Sequence, residues 1–196
     1  FAGYWAWDPV ENTSLVPWLT LVAGIHTNLV ARATGFSIRS TYSFYLLTFI
    51  LILYSTYLTR SGILGDTSAH AFTEMGLGFQ LVLFMAVFSI LGIVLWLVRY
   101  KEVPDVKGEE SATSREFWMF IGSLVLFFSA VLITGATSLP VWNKIVQSFN
   151  PDYIGAALKD PIEHHNRYQL WIAVFIGLLT GSGPFMRYSE RKWKMV

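Results

Sequence analysis

Five stretches of this chain are long and apolar enough to cross a lipid bilayer, near residues 14–31, 40–58, 77–98, 117–136 and 169–185. No other feature constrains the fold as much. Backbone N–H and C=O groups in hydrocarbon must be satisfied within the protein, which leaves helices and closed barrels, and a spanning helix needs about 20 mostly apolar residues. The expected fold is all-α: a polytopic membrane helix bundle with about five transmembrane helices and external loops. His26 interrupts the first run, and Thr180-Gly181-Ser182-Gly183-Pro184 closes the fifth.

Composition agrees. With 54% hydrophobic and 14% charged residues and a mean hydropathy of +0.48, the chain is too apolar for an ordinary soluble domain. No Met opens it and no signal-like segment precedes the first run, so it reads as an internal piece of something longer. A net charge of +1 gives no support to nucleic-acid binding. The chain has no cysteine, so any thiol in its chemistry must come from a partner.

Basic residues near span ends remain in the cytoplasm. Arg32, Arg39, Arg99, Lys101, Lys107, Arg115, Arg187, Arg191, Lys192 and Lys194 would lie on one side, ten of the 14 lysines and arginines. The other side, expected to be external, holds Arg60, Lys144, Lys159 and Arg167 with the Trp-rich opening and the loop around His70. This divides the chain into a three-span region at 1–100, a solvated cytoplasmic loop at 101–116 given no chemistry, and a two-span region at 117–196. Within the last, a short amphipathic helix is expected around residues 142–149, packed at the membrane interface.

The opening reads Gly-Tyr-Trp-Ala-Trp-Asp-Pro-Val-Glu-Asn from Gly3. Asp8 can cap a helix, Pro9 suits its first turn and Glu11 can reach back to complete a capping box. Capping leaves the tryptophans unexplained. Trp5 and Trp7, two apart in an extended segment, would face the same way and offer a flat surface to a large planar ligand; Trp18 suits an interfacial belt.

Three of the four histidines fall on the outer side. His70 lies in a Gly-punctuated loop that returns to the face of the Trp cluster, where an imidazole beside aromatic rings suits axial ligation of haem iron. His26 lies about 18 Å into the first span, and an ionisable group at that depth implies a ligand or a proton relay. His164 and His165, which diverge on a helix and so would not share one metal ion, are read as solvated, with assistance to the site as the minor alternative. Arg60, at the outer end of the second span, can pair with an anionic group such as a haem propionate or snorkel to the interface.

Trp-Ala-Trp-Asp-Pro-Val-Glu-Asn from Trp5, Gly-Ile-His-Thr-Asn from Gly24 and Thr-Arg-Ser-Gly-Ile-Leu-Gly-Asp-Thr-Ser-Ala-His from Thr59 together resemble the tryptophan-rich (WWD) domain of haem-handling proteins. Among these they are most similar to the haem lyases of cytochrome c maturation. The resemblance runs over most of residues 1–100, and the span ending in Gly183-Pro184 is similar to a later one in the same lyases.

The resemblance implies a multi-pass protein of the bacterial inner membrane that presents haem on its periplasmic face. There it would position haem b, as substrate, for covalent attachment to the cysteines of an apocytochrome c. It implies His70 as axial ligand of the external haem, His26 as ligand of a second, b-type haem in the membrane, and Trp5, Trp7 and Asp8 as part of the platform, with Arg60 nearby. Expected partners are apocytochrome c, a haem chaperone, other cytochrome c maturation subunits and membrane lipid. The family motif is usually richer in Trp than this chain, which carries Tyr4 and Ala6 there, and the second ligand of each haem is expected outside it. Alternatives are a haem export or relay component of the same superfamily, or a proton- or ion-translocating subunit that uses His26 as relay.

Overall fold

A computed structural model describes residues 5–65, 67–68, 70, 72, 76–104, 106 and 111–186. Tyr4, Lys107, Arg187, Arg191, Lys192 and Lys194, which enter the sequence reading, lie outside the described residues. Helix α1 spans Pro9–Thr34, α2 Ile38–Arg60, α3 Gly78–Arg99, α4 Arg115–Thr137, α5 Leu139–Phe149 and α6 Pro161–Ser182, the last followed by a 3₁₀ turn at Gly183–Phe185. Five of these elements are long and apolar enough to span a membrane, and the chain is a multi-pass membrane helix bundle.

Helix α1 is central and packs mainly on α2 and α4, while α3 leans on α2 and α6 on α4. Its ends follow from local chemistry. Asp8 accepts from the Val10 N–H at 2.9 Å, Glu11 reaches back to the Asp8 N–H, and Pro9 occupies the first turn, so the expected capping box is present. At the other end Gly35 adopts φ 78°, and its N–H bonds the Ala31 carbonyl at 2.9 Å. That left-handed conformation carries no Cβ penalty in glycine.

What is buried is inverted relative to a soluble protein. Among the described residues, fourteen buried side chains are polar or charged against twelve apolar, whereas leucines, isoleucines, valines and phenylalanines crowd the exposed set. The most apolar span, α3, buries no residue at all. Lipid is as apolar as leucine, so burial in a membrane favours close backbone approach and interhelical hydrogen bonds over apolar area.

The α1–α2 seam shows this directly. Thr13, Thr20, Thr27 and Thr34 recur every seven residues along one side of α1, and all four are buried. Thr41 and Thr48 continue the pattern on the antiparallel α2. The hydroxyls of Thr20 and Thr48 lie 2.9 Å apart, and Ser55 Oγ donates to the Thr13 carbonyl at 2.5 Å. At Gly24 the helices are so close that a Cβ would stand 2.8 Å from the Tyr45 ring. On the other side of α1, Val16, Leu19 and Ala23 meet Leu126, Ala130 and Ile133 of α4, with Phe44 of α2 completing the cluster.

The loops gather at two ends. At one, Arg39 Nη2 donates to the Val103 carbonyl at 3.2 Å and its guanidinium lies 4.6 Å from the Tyr100 ring centre, joining the start of α2 to the end of α3. This is the end at which the described basic residues Arg32, Arg39, Arg99, Lys101 and Arg115 fall. At the other end, Tyr54 Oη bonds Ser138 Oγ at 2.7 Å and Asn12 Nδ2 reaches Thr137 Oγ1 at 3.3 Å.

Two expectations about these ends change. Glu116, assigned above to a solvated loop, is 1% exposed. Ser114 caps α4 by accepting from the Phe117 N–H at 3.2 Å, so the helix begins earlier and brings Glu116 into its first turn, where the helix dipole favours a negative charge. The fifth span likewise begins at Pro161 rather than 169. Asp160-Pro161-Ile162-Glu163 repeats the pattern Asp8-Pro9-Val10-Glu11, and Asp160 accepts from the Glu163 N–H at 2.8 Å. The expected amphipathic helix is α5, and it starts at Leu139 because Ser138 ends α4 and begins α5 at once.

Candidate functional site

The Trp-rich segment enters α1 through a turn. Trp7 has φ 56°, a left-handed conformation costly for a bulky residue. Three contacts hold it there. Its carbonyl accepts from Asn12 Nδ2 at 3.1 Å, its indole Nε1–H donates to Asn166 Oδ1 at 2.8 Å, and its ring stacks on His165 at 4.8 Å between centres and 20° between planes.

This turn overturns the expectation of a shared flat surface. The rings of Trp5 and Trp7 meet edge to face, 6.0 Å apart and 88° between planes. The two-residue alternation of an extended strand fails because Trp7 is not extended. Trp7 turns inward to His165 while Trp5 stays 37% exposed.

His165 is also corrected. It was read as solvated, yet it is 3% exposed, because the earlier start of α6 places it on the packed side of a helix under Trp7. The rings of His164 and His165 do diverge, at 87° between planes. One turn on, buried Gln169 accepts from Ser129 Oγ at 2.6 Å and ties α6 to α4.

Asp8 does more than cap. Its Oδ1 also accepts from Ser68 Oγ at 2.6 Å, and the His70 N–H donates to that same Ser68 oxygen at 3.1 Å. One serine thus fastens the His70 loop to the Trp segment, as the sequence led one to expect of a loop returning to that face. His70 itself is exposed. Arg60, also exposed, rests its guanidinium 4.0 Å from the Phe72 ring centre in that loop, a cation–π contact.

His26 lies elsewhere, on the wall of a mainly apolar groove of about 650 Å³ between α1, α4 and α6. Trp7, Trp18, Leu126, Gln169 and Ile176 share that lining, so the Trp segment forms part of the same groove. His26 Nδ1 is 2.8 Å from the Val22 carbonyl. A carbonyl only accepts, so Nδ1 carries the hydrogen of this bond.

The structure therefore brings Trp5, Trp7, Asp8 and, through Ser68, His70 to one place, with Arg60 bound into the same loop. His26 stands apart from them along the groove. Ser68, Asn12 and Asn166 were missed by sequence reading, and His165 was read mainly as solvated. For His165 and Asn166 the signal was present, since the repeated Asp-Pro-x-Glu places them on the second turn of a helix. No group of three or more His, Asp or Glu able to hold a metal ion occurs among the described residues.

A family model described as cytochrome C assembly protein matches residues 1–64. The cytochrome c-type biogenesis protein CcmF of Haemophilus influenzae is 29% identical over 201 residues, covering all of this chain and 29% of the relative. CycK of Bradyrhizobium diazoefficiens is 31% identical over 186 residues, or 94% of this chain and 26% of the relative. CcmF of Escherichia coli is 28% identical over 97% of this chain and 28% of the relative. The chain spans less than a third of the length of these relatives, and no solved structure matches it. Across nearly all of its length, then, the chain is CcmF-like in sequence, a relative of the cytochrome c-type biogenesis proteins.

Proposed function

We propose that this chain is the haem-holding part of a cytochrome c biogenesis protein of the bacterial inner membrane. In this reading the Trp-rich end faces the periplasm. Haem b, as substrate, meets the Trp segment through one indole face, with the other indole at its edge and His70 as axial ligand, while the vinyl groups are presented to the cysteine thiols of an apocytochrome c. A haem chaperone and other maturation subunits would deliver and receive these groups. The carrying observation is the Asp8–Ser68–His70 connection, which places an exposed imidazole loop beside the aromatic segment.

Addition of a thiol across a vinyl double bond conserves atoms and electrons, so the chain's own task is orientation rather than acid–base chemistry. Arg60 has two alternatives: to remain on Phe72, or to turn to a propionate by charge-assisted hydrogen bonding.

The groove fits a second haem. Its volume lies within the roughly 300–1,000 Å³ typical of cofactor sites, its lining is mainly apolar, and His26 offers Nε2 from an imidazole oriented through Nδ1. A b-type haem there would offer a one-electron relay toward the substrate iron when a reductant supplies it. The residues on this side hold and orient it and exclude water. A proton-translocating role for His26 finds less support. Buried Glu116 would be a natural second relay group, but it lines a separate pocket, with Phe36 and Arg39.

The test is the visible spectrum of the full-length protein in detergent, oxidised and reduced, beside His26→Ala and His70→Ala. The first substitution should abolish the b-type spectrum. The second should leave that spectrum intact while removing chaperone-delivered haem and cytochrome c formation. A wild-type protein without haem when haem is abundant would sink the proposal.

A further inference from the structure

The start of α6 makes contacts that neither the haem-holding reading nor the relatives' names assign. Trp7 occupies a backbone region that a bulky side chain rarely enters, and nothing in residues 5–8 alone would keep it there. Two of its three restraints come from one turn of a helix more than 150 residues away, as Asn166 stands 159 positions from Trp7. His165 covers one face of the indole and Asn166 fixes its edge, a combination that leaves the ring neither rotation nor tilt.

His165 is not on the groove wall, whereas Trp7 is. The imidazole backs one face of the indole. His165 is 3% exposed, with His164 edge-on at 5.3 Å and Trp7 stacked at 4.8 Å, so its ring faces are committed to packing. His70, by contrast, is exposed.

We propose that His165 and Asn166 are positioning residues for Trp7, holding its indole in the orientation from which it meets a planar ligand. The ligand part rests on the haem-holding reading; the positioning part does not. Aromatic stacking is the larger restraint, and a flat ring of any kind at 165 supplies it. The indole hydrogen bond sets the angle about the ring normal.

The deciding experiment labels the full-length protein with 5-fluorotryptophan, with the Trp7 fluorine resonance identified by its loss in Trp7→Phe. The wild type should show one narrow Trp7 line. In His165→Ala the line should move and broaden or split; in His165→Phe it should remain single, and Asn166→Ala should shift it without splitting. An unchanged line in His165→Ala overturns the proposal, as does a Phe variant no better than Ala.

A second measurement follows the transfer of outer-site haem to apomyoglobin. Loss should be roughly two- to tenfold faster in His165→Ala, the range expected from removing one aromatic pair, with recovery in His165→Phe. A His165→Phe protein that loses haem as fast as His165→Ala would mean a merely structural role and would also overturn it. A wild type with no outer haem defeats the haem-holding reading alone, since the fluorine spectrum still decides how Trp7 is held.

Discussion

Two helices of this bundle begin with the same four-residue pattern and are used differently. Asp8-Pro9-Val10-Glu11 opens α1 with a full capping box, and its aspartate also fastens the His70 loop through Ser68. Asp160-Pro161-Ile162-Glu163 opens α6 with a single capping bond, and Ile162 and Glu163 stay exposed. α1 buries a dozen residues along its length, whereas α6 buries only His165 and Gln169. One helix is the scaffold. The other is held on by polar contacts and in turn holds Trp7. The lesson is that identical start signals set where a helix begins but say nothing about what its first turns must carry.

The contrast breaks first at the α1–α2 seam. Gly24→Leu forces side chain into a space where even a Cβ meets Tyr45 at 2.8 Å and the Phe44 Cβ at 3.3 Å. We expect a loss of about 3 kcal/mol, the upper end for overpacking, and a thermal midpoint in detergent well below wild type. An unaltered midpoint would show that the helices can part there without cost.

Asp8→Ala comes next. Removing an N-cap costs about 1–2 kcal/mol, and the Ser68 bond is lost with it. Limited proteolysis should cut the 61–76 loop faster, and His70 function should fall although His70 is unchanged. Asp160→Ala sharpens the comparison, because α6 has only the one capping bond to lose. It should cost about 1 kcal/mol or less and leave the 61–76 loop as protected as in wild type. If both aspartates matter equally for that loop, the scaffold and clamp distinction is wrong.

The smallest change is Thr48→Val, which removes the hydroxyl facing Thr20. Such interhelical bonds average about 0.6 kcal/mol in membranes, so the midpoint should drop slightly with no effect on haem spectra. A large drop would make the seam depend on this pair rather than on close packing.

How much was legible follows from the range of each signal. Span number could be read because length and hydropathy are properties of contiguous residues, and the α1 cap because Asp8 and Glu11 are three apart. The α6 start was equally local and still missed, since the apolar run beginning at 169 drew the boundary in spite of Asp160. The threonine spacing on α1 was visible as a pattern, but its meaning depends on α2 lying alongside with Thr48 opposite Thr20. In the candidate site, the connection of His70 to the Trp segment was anticipated in outline; Ser68, which makes it, was not.

By itself the sequence determined that this chain makes apolar helices, where most of them lie, how α1 is capped, and which ends gather the basic residues. These depend on residues within a turn or a run of one another. Only the tertiary structure decided which way Trp7 faces, that His165 and Glu116 are buried, and that His26 shares a groove with Trp7. The reason is physical: a ring's orientation and a side chain's burial depend on whatever packing brings against them, and here Asn166 arrives from 159 residues away.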